Sequence, residues 1–475
     1  MPVLAFPTNS SHGVRAGSDW RAEFFGFVSD LLDKVEAGGP MEKLWDMTRA
    51  IVESKSELLG QLTLGFVKKQ HGDLLDQEYC DCPKCKKKLK SRGKHKREVE
   101  THVGGFSLWR PYFYCVDCRL GFYPLDEALG LSASPKQYDV DDLGAWLASE
   151  LPYEMAQETY RRCTGGTLSA HHCHERTNEI TGDLVILDVC PTREEIEKKI
   201  AALKEGRFRR PVMMLAIDGA HAPTRPEPSP RNSEGGKGEY KEIKGFRLYL
   251  IDSHEIVHLI SWHQIGTDDD LAAALQTIKN AGLVPEHSVR LCVVADGAAW
   301  IWNRTRELFP SAKQVLDYYH CAEHLYELAN AQYGKDTRKG REWVEATLCR
   351  LFHNQKTHVL AGIKRMSASS PEAQKKIDST LQYLTKHKRR LDYGAAKRGG
   401  FHIGSGAIES SNKFIGHVRL KRSGAWWYPS NANNILKLRC AKYNGTYDRV
   451  IEAYRDRDQI KLYQNRSGDT PVGPV

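Results

Sequence analysis

The sequence lacks any run of about 18 consecutive apolar residues, the length at which a helix can cross a membrane. Its first 20 residues also lack a sustained apolar stretch, so we expect no secretory signal and no membrane partner. The chain of 475 residues is too long for one compact domain, and its length predicts roughly three or four domains.

Acidic residues are missing from two long basic stretches. Residues 84–97 hold seven Lys and two Arg, which together equal the net charge of the whole chain, +9. A second acid-free stretch covers residues 410–447. Clustered positive charge suits a polyanion such as nucleic acid, although a solvated basic loop is an equally good interpretation of either stretch alone.

The twelve cysteines do not indicate a disulfide scaffold, because thiols inside cells stay reduced and no signal peptide is present. Two C-x2-C pairs predict a zinc ribbon instead, with the ligands Cys82, Cys85, Cys115 and Cys118. Four thiolates complete a tetrahedral site, so the Zn²⁺ is expected to be structural; the alternative is four unrelated buried thiols. Cys80 does not fit the spacing. The link between the pairs exceeds the usual length of about 15 to 20 residues, which requires a longer hairpin.

The first basic stretch lies inside this predicted ribbon. That position favours a finger that contacts phosphates over a plain solvated loop. The residues expected to bind DNA there are Lys86, Lys87, Lys88, Arg92 and Arg97.

Residues 139–182 read as short helices interrupted by the glycine turn at 164–167, with Ser169 as the N-cap of the last helix. Two helices joined in this way predict a helix-turn-helix, although a plain helical hairpin fits equally well. His171, His172 and Arg176 would face DNA from the second helix. A metal site in the HHCH run is rejected, because residues so close in one helix point in different directions.

After a charged connecting helix, the pattern changes to strand, strand, strand, helix, strand, helix, strand. This order predicts the mixed sheet of a ribonuclease H-like domain. The segments lie at 211–219, 244–252, 255–264, 268–282, 288–297, 299–309 and 312–320. Residues 320–400 read as helical and are too long for a loop, so they form a predicted helical insertion.

Asp218 and Asp296 each end an apolar strand and precede a glycine. A strand-terminal aspartate is an ordinary turn former. In this topology, however, the first and fourth strands are neighbours, so the two carboxylates should meet. Carboxylates that lie close together repel each other unless a cation lies between them, which predicts paired Mg²⁺ (or Mn²⁺) ions. Glu409, in the first turn of a later helix, is the expected third acid.

The segments AIDGAH, VADGAAWIW, LDYYHCAEHL, GSGAIESSNK and RSGAWW, in this order, resemble the DDE transposases of ISKra-type insertion sequences, which are related to mutator-like transposases. The N-terminal segments YCVDCRLGFYPLDEALGL and LPYEMAQETYRRCTGGTLS are similar to the zinc-ribbon and helix-turn-helix segments of that group. The resemblance covers roughly residues 78–445.

This resemblance implies a metal-dependent DNA transposase that cleaves and joins strands without a covalent intermediate. Matched residue by residue, it implies the triad Asp218, Asp296 and Glu409, with Asp317 and His320 as auxiliary residues. Asp317 also ends a strand and competes with Asp296 for the second place. Asp252 is interpreted as a turn residue.

Double-stranded DNA is the partner that the resemblance implies, both as terminal inverted repeats and as target. It also implies a homodimer or larger assembly on DNA, and a cytoplasmic, nucleoid-associated protein of a prokaryote. In the second basic stretch, cations would grip phosphates and a tryptophan would stack on an unpaired base; the alternative is that these side chains pack on one another. The residues concerned are Lys413, Arg419, Lys421, Arg422, Trp426 and Trp427.

The predicted fold class is therefore multidomain α+β. Its parts are an N-terminal helical region (1–77), a zinc ribbon (78–131), a helix-turn-helix-like region (132–185), a connecting helix (186–208), a catalytic domain in two parts (209–330 and 401–446) around the helical insertion (331–400), and a C-terminal helix and tail (447–475). Two other functions stay open on the sequence: a transposase-derived DNA-binding regulator and a plain metal-dependent nuclease.

Overall fold

The computed structural model describes residues 19–39, 41–227, 237–253 and 255–467. The chain divides into two compact units, each a mixture of helix and sheet or hairpin. The first unit consists of Met1–Arg176 together with Ile451–Val475, and the second of Thr177–Val450. Within the described residues, no helix is both long and apolar enough to span a membrane.

The first unit begins with two helices and continues with three short antiparallel strand pairs. The helices are α1 (Trp20–Ala37), α2 (Leu44–Leu75), α3 (Pro124–Ala128), α4 (Tyr138–Glu150), α5 (Tyr153–Thr164) and α6 (Ala170–Thr181). The strands are β1 (Tyr79–Asp81), β2 (Lys88–Lys90), β3 (Lys94–Glu100), β4 (Gly105–Pro111), β5 (Phe113–Cys115) and β6 (Leu120–Phe122), paired β1–β2, β3–β4 and β5–β6.

The β3–β4 hairpin is the longer connection that the cysteine spacing requires. Its inward residues Val99, Phe106 and Leu108 form a core with Val67 of α2. Helix α2 approaches β4 closely because Gly60 has no side chain: a Cβ there would lie 2.1 Å from the carbonyl oxygen of Gly105.

Helices α4, α5 and α6 pack around a common core that includes Val140, Ala156, Tyr160 and Cys173. The chain leaves α5 through Gly165, which has φ +78°. The Ser169 hydroxyl accepts a hydrogen bond from the backbone N–H of His172, as expected of the N-cap of α6.

The second unit contains a mixed sheet whose elements follow the order predicted from the sequence. Within the described residues, the strands run β11–β10–β7–β8–β9, and β10 is parallel to both β7 and β11. The elements are α7 (Arg193–Lys204), β7 (Val212–Thr224), β8 (Glu239–Asp252), β9 (Glu255–Ile265), α8 (Asp268–Asn280), β10 (Arg290–Ala295), α9 (Ala299–Leu308) and β11 (Lys313–Leu316). Residues 228–236, in the proline-rich segment between β7 and β8, lie outside the described residues.

The middle of this sheet is apolar throughout, as expected for strands covered on both faces. Met213, Met214 and Leu215 of β7 are all fully buried, and so are Cys292 and Val293 of β10. Such a rigid support fixes the positions of the residues at the strand ends.

Helices follow the sheet, and the sequence predicted a helical insertion here. They are α10 (Tyr318–Tyr333), α11 (Arg338–Phe352), α12 (Lys356–Lys364), α13 (Pro371–Lys386), α14 (Tyr393–Arg398), α15 (Gly406–Ser411), α16 (Val418–Leu420), α17 (Pro429–Asn444) and α18 (Tyr447–Ser467). One π-helical turn, Asn412–His417, lies between α15 and α16.

The C-terminal helix α18 spans Tyr447–Ser467. From Ile451 onward it belongs to the first unit. The Tyr454 hydroxyl contacts Asp141 at 3.1 Å, and Asp458 accepts a hydrogen bond from Tyr138 at 2.6 Å. Sequence pattern could not reveal this packing, because the partner residues are more than 300 positions away.

Candidate active site and metal centre

Three aspartates lie in a row on three neighbouring parallel strands. Asp296 and Asp317 directly follow β10 and β11. Asp218 lies within β7, which continues to Thr224, and this corrects the expectation that Asp218 ends its strand. Ala295 of β10 pairs with Ile217 of β7, and the next residues along the two strands are Asp296 and Asp218. Neighbouring strands lie about 4.8 Å apart, so both carboxylates belong to one edge of the sheet. Asp317 extends the same row, because its predecessor Leu316 pairs with Ala295.

Asp317 differs from the other two because both of its carboxylate oxygens are held by backbone groups. One oxygen accepts hydrogen bonds from the N–H groups of Tyr319 (2.7 Å) and His320 (2.8 Å), which caps α10. The other accepts from the N–H of Ser405. Burial opposes ionisation of this fully buried carboxyl, but the hydrogen bonds from His320 and Ser405 outweigh it and lower the pKa of Asp317.

Asp296, in contrast, is half-buried. One of its oxygens accepts from the N–H of Ala298 at 2.9 Å. The structure thus distinguishes the two acids that the sequence left in competition: backbone N–H groups hold both oxygens of Asp317, whereas the hydrogen bond from Ala298 engages one oxygen of Asp296.

Glu409 is brought to this edge by the segment that Asp317 anchors. The Ser405 hydroxyl donates to a Glu409 carboxylate oxygen at 2.8 Å. The buried Arg247 of β8 donates to the carbonyl of Ala407 at 2.8 Å, which ties α15 to the sheet. The Glu409 side chain itself is exposed.

The charges at this edge influence one another. Burial, with smaller contributions from the carboxylates of Asp296 and Glu409, raises the pKa of Asp218 to about 6. The carboxylate of Asp317, 3.5 Å from Nδ1 of His320, raises the pKa of His320 to about 9, which favours the imidazolium form at neutral pH. His320 is also close enough to Asp218 to favour its ionised form.

Asn412 is a site residue that sequence reasoning missed. It opens the π-helical turn, and its side-chain amide donates to Asp218 at 3.0 Å. Its position three residues after Glu409 was the available signal, but an asparagine on a helix has many structural uses. Single π-helical turns occur often at functional sites.

The four predicted zinc ligands lie together. The sulfur atoms of Cys82, Cys85, Cys115 and Cys118 are all within 4.8 Å of one another. In the part of the chain that the structure describes, this is the one group of three or more His, Cys, Asp or Glu residues that meets this spacing.

The sheet-edge acids Asp218, Asp296 and Glu409 do not meet this spacing.

Some of the residues predicted to contact DNA have side chains that contact other parts of the protein: Arg97, His172, Arg419 and Trp427. Arg97 donates to Asp126 at 2.8 Å, and His172 contacts Asp141 at 2.8 Å. Arg419 is 2% exposed and lies over the ring of the buried Trp427. Long cationic stems often cover aromatic faces in this way.

The remaining predicted contacts lie at least partly at the surface. The exposed set comprises Lys86, Lys87, Lys88, Arg92, His171, Lys413, Lys421 and Trp426, and the half-buried set comprises Arg176 and Arg422. Trp426 is 45% exposed and packs edge-on against Tyr240.

We expect replacement of Asp317 by Ala to destabilise the protein by about 3 kcal/mol, because one buried and two part-buried N–H groups lose their acceptor. Denaturant unfolding would measure this. The matched control is Asp252→Ala, which removes a strand-terminal aspartate whose ion pair with Arg207 is partly exposed; its cost should stay within about 1 kcal/mol. Equal costs for the two variants would contradict the anchoring role.

No family model matches the chain. A protein of Streptococcus gallolyticus described as a UPF0236 protein in the vanSb 3'region is 22% identical to it over 339 residues, which cover 69% of this chain and 68% of that protein. The Drosophila P element transposase strand transfer complex has a chain that aligns with 71% of this one and 87% of its own length, at 12% identity and a TM-score of 0.25.

Proposed function

We propose that this protein is a DDE transposase: it binds the terminal DNA of a mobile element and catalyses divalent-metal-dependent strand cleavage and strand transfer in a ribonuclease H-like domain. The observation that carries the proposal is the row of acids at one sheet edge. Asp218 and Asp296 directly follow the last residues that pair between the adjacent parallel strands β7 and β10, and Glu409 lies on a helix tied to the same edge.

The donor set fits Mg²⁺ or Mn²⁺. All three side chains offer carboxylate oxygens, which hard cations prefer. Burial raises the pKa of Asp218 because it disfavours the ionised carboxylate, and a nearby cation would stabilise that ionised form. When bound, such ions polarise the phosphodiester and stabilise charge on the attacking and leaving oxygens.

Side chains of the protein would position the DNA and stabilise the charges that develop during the reaction. In cleavage, a water oxygen forms a bond to phosphorus, the bond from phosphorus to the 3′ oxygen breaks, and a free 3′-hydroxyl results. In strand transfer, that hydroxyl attacks a target phosphodiester, whose own 3′ oxygen leaves. The cationic His320, beside Asp218, is suited to hold a phosphate oxygen or to give a proton to the leaving oxygen.

DNA would approach over the exposed cations and aromatic rings near this edge. Lys413 and Lys421 follow Glu409 in the chain and are exposed. Trp426 and Tyr240 present flat apolar surfaces on which an unpaired base could stack. In the first unit, the zinc ribbon presents exposed lysines that suit duplex phosphates.

The test is to incubate the full chain with DNA that carries the element's two ends, with Mg²⁺, with Mn²⁺ or with a chelator. We expect nicks at the element boundary and joined products, both dependent on metal. Cleavage without joining would indicate a plain nuclease. Binding without cleavage would indicate a regulator derived from a transposase.

A further inference from the structure

We propose that Asn412 and His263 are positioning residues that hold the carboxylate of Asp218 in one orientation for a divalent cation. The inference rests on the proposed function, because it assigns two more residues to the same site. Neither residue is among the acids expected from the sequence.

The sheet register places the relevant residues in one row. Asp218 of β7 pairs with Gly245 of β8, and Gly245 pairs with His263 of β9. Residues directly opposite each other in antiparallel strands point to the same face. Asp218 and His263 therefore share one face of the sheet, with a glycine between them.

Gly245 is needed in this row because the imidazole occupies the space above it. A Cβ at Gly245 would lie 2.4 Å from Cδ2 of His263. Any side chain at this position would push the imidazole away, so the glycine allows His263 to reach across β8.

The hydrogen bonds have a defined direction. Asn412 Nδ2 donates to Asp218 Oδ2 at 3.0 Å, so Asn412 Oδ1 must accept from His263 Nε2–H, which lies 2.9 Å away. The imidazole is 1% exposed, and burial lowers the pKa of His263 to about 4. A neutral His263 ring with its proton on Nε2 therefore fixes the orientation of the Asn412 amide, and this amide fixes the orientation of the Asp218 carboxylate.

The backbone around Asn412 is held as well. Asn412 is 4% exposed, and the preceding Ser411 hydroxyl lies 3.3 Å from that of Ser261 on β9. In the same π-helical turn, Arg439 of α17 donates to the carbonyl of Ile415 at 2.8 Å. The amide thus projects from a segment with little freedom to shift.

The amide of Asn412 orients the oxygens of Asp218 without adding a second positive charge to that of His320. Partners of metal ligands commonly act in this way, and their loss costs about 10–100-fold in metal affinity.

The experiment measures Mn²⁺ binding to the zinc-loaded full chain by electron paramagnetic resonance, without DNA, so that it does not depend on activity. Asn412→Leu keeps the shape of the side chain without its hydrogen bonds. We expect it to weaken Mn²⁺ binding about 10–100-fold. His263→Leu should do the same, whereas His263→Gln, which keeps a donor near Nε2, should stay within about threefold of wild type.

The double variant Asn412→Leu/His263→Leu should bind Mn²⁺ no more weakly than Asn412→Leu alone, because His263 acts through Asn412. The matched control is Asn433→Leu, which removes an amide that bridges α17 to Ile265 of β9. Its Mn²⁺ affinity should be that of wild type. If Asn412→Leu does not fold, Asn412→Ser serves in its place.

Two failures can be told apart. If Asp218→Asn binds Mn²⁺ with the affinity of wild type, the proposed cation site and the proposed function are both wrong. If Asp218→Asn loses binding but Asn412→Leu retains it, or if the two single effects add in the double variant, the positioning role alone is overturned.

Discussion

Replacing Asp218 with Asn, or Glu409 with Gln, is expected to reduce strand cleavage by about 10³-fold or more, the scale seen when one member of an interdependent catalytic set is removed. Both changes keep the shape of the side chain and remove its charge. Asn at position 218 can still accept the hydrogen bond from Asn412. DNA binding in the absence of metal should therefore persist, and a gel-shift assay beside the cleavage assay would show this.

The matched control for these variants is Asp252→Asn. It removes the charge of a strand-terminal aspartate that ends β8 and pairs with Arg207. Cleavage by this variant should stay within about twofold of wild type. Wild-type rates for Asp218→Asn and Glu409→Gln would remove the basis of the proposed function.

Loss of the zinc site is expected to have the second large effect. Structural zinc contributes about 10–16 kcal/mol of binding free energy in small zinc domains. The core at the ribbon is small: it consists of Leu89, Phe113, Leu120 and Phe122 with the cysteines themselves. Replacing Cys85 with Ser, or adding a strong chelator, should therefore release one zinc ion and unfold β1–β2 and β5–β6.

Elemental analysis would measure the zinc, and hydrogen exchange over residues 79–122 would measure the unfolding. The control is Cys80→Ser, because Cys80 packs against the same core but is not one of the clustered sulfurs. That variant should keep its zinc. Full protection from exchange after zinc removal would contradict a structural role for the metal.

Several features could be predicted because they depend on local pattern. The C-x2-C pairs bring two sulfurs together within one turn of chain, and the four cysteines do cluster. Alternating apolar segments predicted the order of strands and helices in the second unit. The Ser169 N-cap also followed from neighbouring residues.

Other features depend on residues that are distant in the chain. Asp317 and Asp296 look alike as strand ends, but the second carboxylate oxygen of Asp317 is held by the N–H of Ser405, which lies 88 residues away in the chain. Arg419 and Trp427 are close in the chain, but the sequence pattern did not show that the guanidinium lies over the indole ring.

By itself, the sequence determined the four-cysteine group, the element order and the candidate acids, because short-range spacing and hydrophobic periodicity encode them directly. The tertiary structure alone decided which acid is anchored, that Asn412 contacts Asp218 while His263 contacts Asn412, and that the last helix from Ile451 onward belongs to the first unit. Those outcomes depend on hydrogen bonds and burial between segments far apart in the chain, and the pairing of such segments exists only once the chain has folded.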